Sequence, residues 1–355
     1  MIRAVENPAP DEAAPDRAGT WVRAVLAEHR ALLVAVCAYC ALAAPLLLGG
    51  ATGAWHFRFG YRWLLLFWLA ASALVLLGAR FRGRLAARLR AESVAGALLV
   101  LALAAPFQST FQSLKQAMPR FAPFAWDARL AALDRGMHGG VDPWRLLRPI
   151  VRSTVALEVL DVVYTLWFVV LIGAVVAASW STRRRLRARF LVSTVMAFGL
   201  IGTVGAFALS SAGPCYYGTV VRGADPFAEL NRTLAAHVDR EGVALDAIDN
   251  QRVLLEFQTS GKTMTFGGIS AMPSMHVAFA VLVALAAGGI DRRWGAVAWT
   301  FTALIFLGSV ALAWHYAVDG YVAALAAGAI WLWVGRWRSI RLLPELKSID
   351  GAPES

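Results

Sequence analysis

One nearly continuous apolar stretch near the carboxyl end of the chain decides the fold. Residues 272–334 read MPSMHVAFAVLVALAAGGIDRRWGAVAWTFTALIFLGSVALAWHYAVDGYVAALAAGAIWLWV. Only two polar breaks interrupt it, at residues 291–293 and at residues 315–319. Each of the three pieces between the breaks comes close to the ~20 apolar residues that a helix needs to cross a bilayer. The stretch therefore predicts three consecutive membrane-spanning helices.

The composition of the whole chain supports this interpretation. The 355 residues are 59% hydrophobic and 16% charged, and their mean hydropathy is +0.58. An average soluble domain carries about 25% charged residues, which argues against a typical soluble globule. The net charge is nevertheless +11. A nucleic-acid-binding protein would carry such charge in a groove on a soluble body, whereas an apolar and basic chain is typical of a membrane protein with arginine-rich cytoplasmic loops. We expect no nucleic-acid partner.

The same length criterion predicts an all-α polytopic membrane helical bundle of about eight transmembrane helices. The predicted spans are residues 31–55, 63–79, 93–111, 154–180, 190–212, 272–290, 294–314 and 318–334. Residues 1–30 and 341–355 are expected to be tails, and the first of these lacks an apolar block and is expected to be disordered.

Arginine clusters predict the orientation of the bundle. They lie at residues 80–90, 183–189, 292–293 and 336–341. With eight spans all four clusters fall on one side of the membrane, and that side is the cytoplasm by the positive-inside rule. Both termini are then cytoplasmic in an integral protein of the plasma or inner membrane, and the two long segments at 112–153 and 213–271 are outside.

The second outer segment contains a predicted amphipathic helix. Asp225 is expected to cap it, with Pro226 in its first position, and Phe227, Leu230 and Leu234 form its apolar side. Such a helix could lie on the membrane surface, cover a site or act as a packed connector.

Two histidines stand at the edges of apolar spans, where polar residues are costly and indicate function. Before His276, Pro273 is expected to occupy the first position of a helix. The backbone N–H groups of Ser274 and Met275 would then be free to bind an anion at the positive helix end, and the Ser274 hydroxyl would add a donor. A proline-started helix with a hydrogen-bonded histidine is the alternative.

The second histidine, His315, has a carboxylate four residues later. His315 and Asp319 share a helical face, so the carboxylate can hold one ring nitrogen and leave the other as a base or nucleophile. A local His–Asp cap is the alternative. The predicted topology puts the start of the sixth span and the end of the seventh on the same outer face. We therefore expect His276 and His315 to share one site.

At these residues the chain resembles the type 2 phosphatidic acid phosphatase superfamily, which includes lipid phosphate phosphatases and vanadium haloperoxidases. The segment 273–276, Pro-Ser-Met-His, is similar to the Pro-Ser-Gly-His motif of that superfamily, and His315-x3-Asp319 to the end of its Ser-Arg-x5-His-x3-Asp motif. The variant looks like the branch of inositol phosphorylceramide synthase (the fungal aureobasidin-resistance protein), as do segments 126–140 and 212–217. The likeness covers roughly residues 93–336. It implies a six-helix phosphatase-like core at 93–340, preceded by two additional transmembrane helices within 31–92.

The resemblance also implies an activity. The protein would be an integral-membrane lipid phosphatase or phosphotransferase that cleaves a lipid phosphoester at the outer face through a phosphohistidine, with no metal and no other cofactor. His315 would be the nucleophile and Asp319 would orient it. His276 would protonate the leaving oxygen and then activate water or an alcohol, while Ser274 would bind the phosphate. The partners would be a membrane lipid, either a lipid phosphate or a phospholipid, and a lipid or alcohol acceptor.

The chain departs from the family pattern where the family has cations. Ser309 and Gly308 stand in place of the third-motif Arg and the Ser before it. Val141 stands where the Lys of a Lys-x6-Arg-Pro motif would precede Arg148-Pro149. A transferring phosphoryl group needs positive charge around it. Four cations on the predicted outer side are therefore candidates for phosphate binding, namely Lys115, Arg120, Arg222 and Lys262.

Other interpretations remain open at this point. Glu158, Asp161 and Tyr164 in the fourth span could contact a polar head group or pack in a wet helix interface. The two histidines could ligate a haem axially, although this leaves Asp319 and the Pro-Ser helix start unexplained. A transporter without phosphoryl chemistry is a further alternative, against which the lack of charges in mid-span positions speaks.

Overall fold

The computed structural model describes residues 17–49, 61–260 and 267–343, and within these ranges the chain is helical without any strand. The α-helices are α1 (Arg17–Glu28), α2 (Arg30–Gly49), α3 (Tyr61–Phe81), α4 (Leu85–Arg88), α5 (Ala91–Phe121), α6 (Asp127–Met137), α7 (Pro143–Leu146), α8 (Arg148–Val151), α9 (Thr154–Ser179), α10 (Arg184–Gly199), α11 (Ala206–Ala208), α12 (Tyr217–Val220), α13 (Ala228–Glu241), α14 (Asp246–Ser260), α15 (Met275–Gly288), α16 (Arg292–Ala311), α17 (Ala317–Gly335) and α18 (Arg338–Arg341). A π-helical turn, Leu200–Gly205, joins α10 to α11, and a 3₁₀ turn, Pro214–Tyr216, precedes α12.

Six of these helical segments are long and apolar enough to cross a membrane. They are Arg30–Leu48, Ala91–Phe121, Thr154–Ser179, Arg184–Ala208, Arg292–Ala311 and Ala317–Gly335. Two shorter apolar segments, Leu65–Phe81 and Met275–Gly288, take the places of the second and sixth predicted spans. The structure confirms the predicted all-α polytopic bundle and fits an integral membrane protein.

Helix α15 forms the centre of the bundle. It packs against α9, α10, α16 and α17. Its residues from Val277 to Leu282 are at most 3% exposed. A helix that is apolar on every side is stable only when it is surrounded. The stretch that opens with the Pro-Ser-Met-His segment is therefore the core of the fold.

The amino-terminal segment differs from the expectation of a disordered tail over residues 1–30. Residues 17–28 form α1, and Val25 of this helix is 6% exposed. Glu28 forms ion pairs with Arg184 and Arg187 at the start of α10. A short amphipathic helix has no long apolar block, so the length criterion for membrane spans does not predict it.

The amphipathic helix expected after Asp225 begins later than predicted. Phe227 is its N-cap residue, and the Asp225 carboxylate instead accepts the backbone N–H of Phe227 in a local turn. Phe227, Leu230 and Leu234 are all less than 5% exposed. Because its apolar side is buried in the main core, α13 is a packed connector.

Candidate active site

The structure brings His276 and His315 together. Their ring centroids are 6.1 Å apart and the ring planes make an angle of 60°. His276 lies in the first turn of α15, and His315 lies in the loop between α16 and α17. Because α15 and α16 form an antiparallel hairpin, the end of α16 returns to the level at which α15 begins. The two motifs of the sequence therefore meet at one end of the bundle.

Asp319 holds His315 in a defined orientation. Its Oδ2 lies 3.2 Å from Nδ1 of His315 and also accepts the backbone N–H of Tyr316 at 3.0 Å. The Asp319 side chain is fully buried and His315 is 6% exposed. Since a carboxylate only accepts hydrogen bonds, we assign the proton of His315 to Nδ1. Nε2 of His315 is then the nitrogen with a free lone pair.

His276 is held by aromatic contacts from α9. Its ring stacks on Tyr164 with centroids 4.4 Å apart and an interplanar angle of 20°, and it also lies 4.3 Å from the ring of Trp167. The indole N–H of Trp167 donates to the backbone carbonyl of His276 at 2.9 Å. Helix α9 therefore forms one wall of the site, which the sequence did not predict.

The three polar residues of the fourth span have different environments. Asp161 accepts the backbone N–H groups of Asp246 and Ala247 at 2.7 and 2.9 Å, so it packs against the start of α14. Glu158 is exposed. Tyr164 belongs to the histidine site through its stacking on His276.

Ser274 joins the two motifs. It is the N-cap residue of α15, and its Oγ accepts the backbone N–H of Val277 at 3.4 Å. Its own N–H donates to the backbone carbonyl of Asp319 at 3.3 Å. The expectation that Pro273 begins the helix and leaves this N–H free was wrong. The helix starts two residues later because the Ser274 side chain caps it.

The four candidate cations have different positions. Lys115 is half-buried on α5, and it packs so closely on the loop before α15 that a Cβ built on Gly268 would lie 3.0 Å from its Cγ. Arg120 and Arg222 are exposed, and within the described residues neither forms a hydrogen bond or ion pair with the histidine site. Lys262 lies outside the described residues.

Two acidic residues of α6 support the His315 loop, and their roles were not predicted from the sequence. The first is Asp127, which is 1% exposed. Its carboxylate accepts the N–H groups of Ala212 and Gly213 at 2.9 and 2.8 Å and the hydroxyl of Tyr316 at 2.8 Å. It therefore ties the His315 loop to the segment after α11.

The second acidic residue is Asp134, two helical turns further along α6. Its carboxylate accepts the N–H groups of Ala317 and Val318, both at 2.8 Å. These groups belong to the first turn of α17, where backbone donors have no partner within the helix. Burial raises the pKa of the Asp134 carboxyl above its ordinary value, although the two hydrogen bonds oppose this rise. A spacing of seven residues, which puts two acids on one helix face, is the signal that could have revealed the pair.

The part of the sequence that carries this arrangement matches a known protein family. The model of the PAP2 superfamily matches residues 128–333, a range that contains His276, His315 and Asp319. The chain belongs to the PAP2 superfamily. Membership indicates phosphatase-type chemistry on lipid phosphoesters in a membrane, and it implies a lipid phosphate substrate. No curated protein and no solved structure matches the chain significantly.

In this PAP2 chain the backbone at Gly213 closely approaches the residue before His315. Gly213 has a φ of +101°, and a Cβ built on it would lie 2.7 Å from the carbonyl oxygen of Trp314. The N–H of Cys215 donates to the carbonyl of Ala313 at 2.9 Å. Only glycine fits at position 213, which explains its place in the segment 212–217.

The Arg-Pro dipeptide and the third-motif position do not supply charge to the candidate site. Arg148 and Arg145 both pair with Glu229 on α13, at 2.7 and 2.9 Å. Ser309 is 1% exposed, and its hydroxyl donates to the carbonyl of Phe306 in its own helix. Among the candidate cations in the described residues, Lys115 is the one that packs against the loop before α15.

Proposed function

We propose that the protein is a membrane lipid phosphatase or phosphotransferase that forms a phosphohistidine on His315. The observation that carries this proposal is the contact of Asp319 with Nδ1 of His315, with the His276 ring 6.1 Å away. One imidazole has a defined tautomer with its lone pair free, and a second imidazole is near enough to exchange protons with the same substrate.

In the first step, the lone pair on Nε2 of His315 forms a bond to phosphorus. The phosphorus–oxygen ester bond breaks, and its electron pair goes to the leaving oxygen. Protonated His276 gives that oxygen its proton, as a general acid does. Asp319 stabilises the positive charge that develops on the His315 ring.

In the second step, His276 is neutral and acts as a base. It takes the proton of water or of an acceptor alcohol, whose oxygen forms the new bond to phosphorus. The nitrogen–phosphorus bond breaks and its electrons return to Nε2 of His315. Water yields inorganic phosphate, or a phosphorylated head group when the substrate is a diester, and an alcohol yields a new phosphoester.

The depth of the site supports a lipid substrate. Helix α15 has 14 residues, so it is about 21 Å long, which is less than the hydrocarbon core of about 30 Å. His276 in its first turn is therefore expected to lie below the ends of the longer helices. The reacting phosphate of a lipid can reach such a recess from the membrane.

The arginines support an outer location for the site. Arg292 and Arg293 stand at the start of α16, whereas His315 follows the end of this 20-residue helix. If the arginines lie in the cytoplasm, then the site opens at the outer face and both termini are cytoplasmic. We extend the proposal to this orientation in the plasma or inner membrane.

Two finer assignments belong to the same proposal. Transfer to an alcohol, as in the inositol phosphorylceramide synthase branch, is supported by the likeness of segments 126–140 and 212–217 to that branch. The division into two additional helices within 31–92 and a core at 93–340 rests on the resemblance, and the family match at residues 128–333 lies within the proposed core.

The test is turnover of radiolabelled lipid phosphates and phospholipids by the purified full-length protein, with and without alcohol acceptors. We expect wild-type protein to release phosphate or a phosphorylated head group, or to form a new phospholipid, and to carry acid-labile label on the protein. His315→Ala should reduce turnover by about 10³-fold or more and abolish the label. His138→Ala is the matched control, because His138 bonds Tyr321 outside the pair.

A folded His315→Ala variant that keeps the wild-type rate would overturn the mechanism. The alternatives make different predictions for the same sample. Haem binding predicts a Soret band in the purified protein. A transporter predicts substrate movement that survives replacement of both histidines, without any release of phosphate.

A further inference from the structure

Two buried hydrogen-bond donors of the site have no protein partner. Within the described part of the chain, neither Oη of Tyr164 nor Nε1 of Trp314 has a hydrogen-bond partner, and both atoms are buried. The Tyr164 side chain as a whole is 6% exposed. Buried polar groups are nearly always paired, because leaving one unpaired is costly. Two such donors in one place indicate a ligand that accepts hydrogen bonds.

Both donors belong to residues that touch the histidine pair. Tyr164 stacks on His276, and its ring is nearly parallel to that of Trp314, with centroids 6.4 Å apart and an angle of 9°. Trp314 directly precedes His315 in the chain. Both donors therefore lie on residues that adjoin the two histidines.

The position of Tyr164 is informative for a second reason. A Cβ built on Gly308 would lie 3.4 Å from Cδ2 of Tyr164, so the tyrosine ring packs on α16 beside Ser309. Ser309 stands where the family motif has an arginine, and its hydroxyl is used within its own helix. A neutral donor from α9 thus lies next to the place where the usual cation is missing.

We propose that the Tyr164 hydroxyl and the Trp314 indole N–H bind the non-bridging oxygens of the phosphoryl group. This inference rests on the proposed function, because it assigns the groups that hold the phosphate during that reaction. The oxygens of a phosphate ester accept hydrogen bonds from neutral donors as well as from cations. In a buried site such fixed donors stabilise the charge of the transferring group. Lys115 on α5, which packs against the loop before α15, then supplies positive charge.

The competing explanation is that Tyr164 and Trp314 serve only as an aromatic wall for His276. Tyr164→Phe distinguishes phosphate binding from this explanation, because it keeps the ring that stacks on His276 and removes only the hydroxyl. Trp314→Phe removes the second donor. Tyr321→Phe is the matched control, since the Tyr321 hydroxyl bonds His138 away from the site.

The experiment measures two quantities on purified full-length protein in detergent. The first is the affinity for inorganic phosphate, from line broadening in phosphorus NMR, and the second is kcat/KM for the lipid substrate. We expect Tyr164→Phe to lower both by about ten- to a hundredfold, as for the loss of a hydrogen bond to a charged group. Trp314→Phe should act in the same direction, and Tyr321→Phe should match wild type. Melting temperatures check that each variant is folded.

The outcomes distinguish this inference from the proposed function. If Tyr164→Phe and Trp314→Phe keep wild-type phosphate affinity and kcat/KM while His315→Ala is inactive, the donor site is overturned and the proposed function stands. If phosphate binding depends on Tyr164 but no lipid is turned over, the donor site stands and the proposed function falls. If wild-type protein binds no phosphate, the donor site is overturned as well.

Discussion

The hydroxyl of Tyr316 donates a hydrogen bond of 2.8 Å to the carboxylate of Asp127, which lies 189 positions earlier in the chain. Both residues are 1% exposed. The same carboxylate accepts two backbone N–H groups from the segment after α11. The residue next to His315 is therefore anchored to a helix that contributes no side chain to the proposed chemistry.

Tyr316→Phe tests this anchor. The change leaves the ring in place and removes one donor from a buried charged acceptor, so we expect the free energy of unfolding to fall by about 1–3 kcal/mol. We also expect a lower kcat, because His315 is the neighbouring residue. Denaturation in detergent and turnover measure the two effects. Equal stability of variant and wild type would show that the contact is dispensable.

Asp319→Asn tests the tautomer of His315. An amide can still accept the N–H of Tyr316, so the fold should persist. The amide can also present N–H₂ to the ring and favour the wrong tautomer, for which we expect kcat to fall by about 10²- to 10⁴-fold. Single-turnover release of phosphate measures the loss. An unchanged kcat would mean that Asp319 only caps α17.

The hydrogen bonds of Asp134 should stabilise the start of α17, and the loss of stability should increase with the number of these bonds that a substitution weakens or removes. The carboxylate serves two backbone N–H groups, an asparagine oxygen is a weaker acceptor for them, and an alanine serves neither. We therefore expect stability to decrease in the order wild type, Asp134→Asn, Asp134→Ala, with a loss of about 1–3 kcal/mol for each buried donor left unpaired. Chemical denaturation measures the order. An alanine variant as stable as wild type would contradict this account.

The ion pair between Glu229 on α13 and Arg148 is expected to weaken in acid. The hydrogen bond between these two side chains is the main reason why the pKa of Glu229 is lowered from its ordinary value of about 4.5. A lowered carboxyl pKa contributes stability above the unfolded value, and this contribution is lost as pH falls through the folded value. The difference in melting temperature between wild type and Glu229→Gln should therefore shrink on going from about pH 7 to about pH 3.

The Glu229 effect should also be small and sensitive to salt, because the carboxylate is exposed. A difference in melting temperature that stays constant over the acid range would show that Glu229 contributes nothing through its charge.

Gly213→Ala tests the close backbone approach to the residue before His315. The new Cβ would meet the Trp314 carbonyl oxygen at 2.7 Å. Gly223→Ala is the matched control, since Gly223 also has a positive φ, +112°, but nothing lies within 4 Å of the built Cβ. Strain alone should destabilise the control by about 1–3 kcal/mol, and Gly213→Ala should lose more. Melting temperatures in the reverse order would contradict the clash.

The apolar lengths of the spans and the residues of the two histidine motifs could be predicted from the sequence. Hydrophobic length and periodicity are local properties, because each helix must bury its own apolar residues and satisfy its own backbone. The predicted positions of the helix starts were less accurate. Side chains of Ser274 and Asp225 bond to the backbone near two helix starts, each of which lies two residues later than predicted.

The sequence by itself therefore determined that this is a helical membrane bundle with His276, His315 and Asp319 as its candidate chemistry. Only the tertiary structure decided what surrounds them. The contacts of Tyr164 with His276 and of Asp127 with Tyr316 join residues 112 and 189 positions apart. Such pairs follow from how whole helices pack, and no short pattern of residues encodes which side chains will meet across a packed interface.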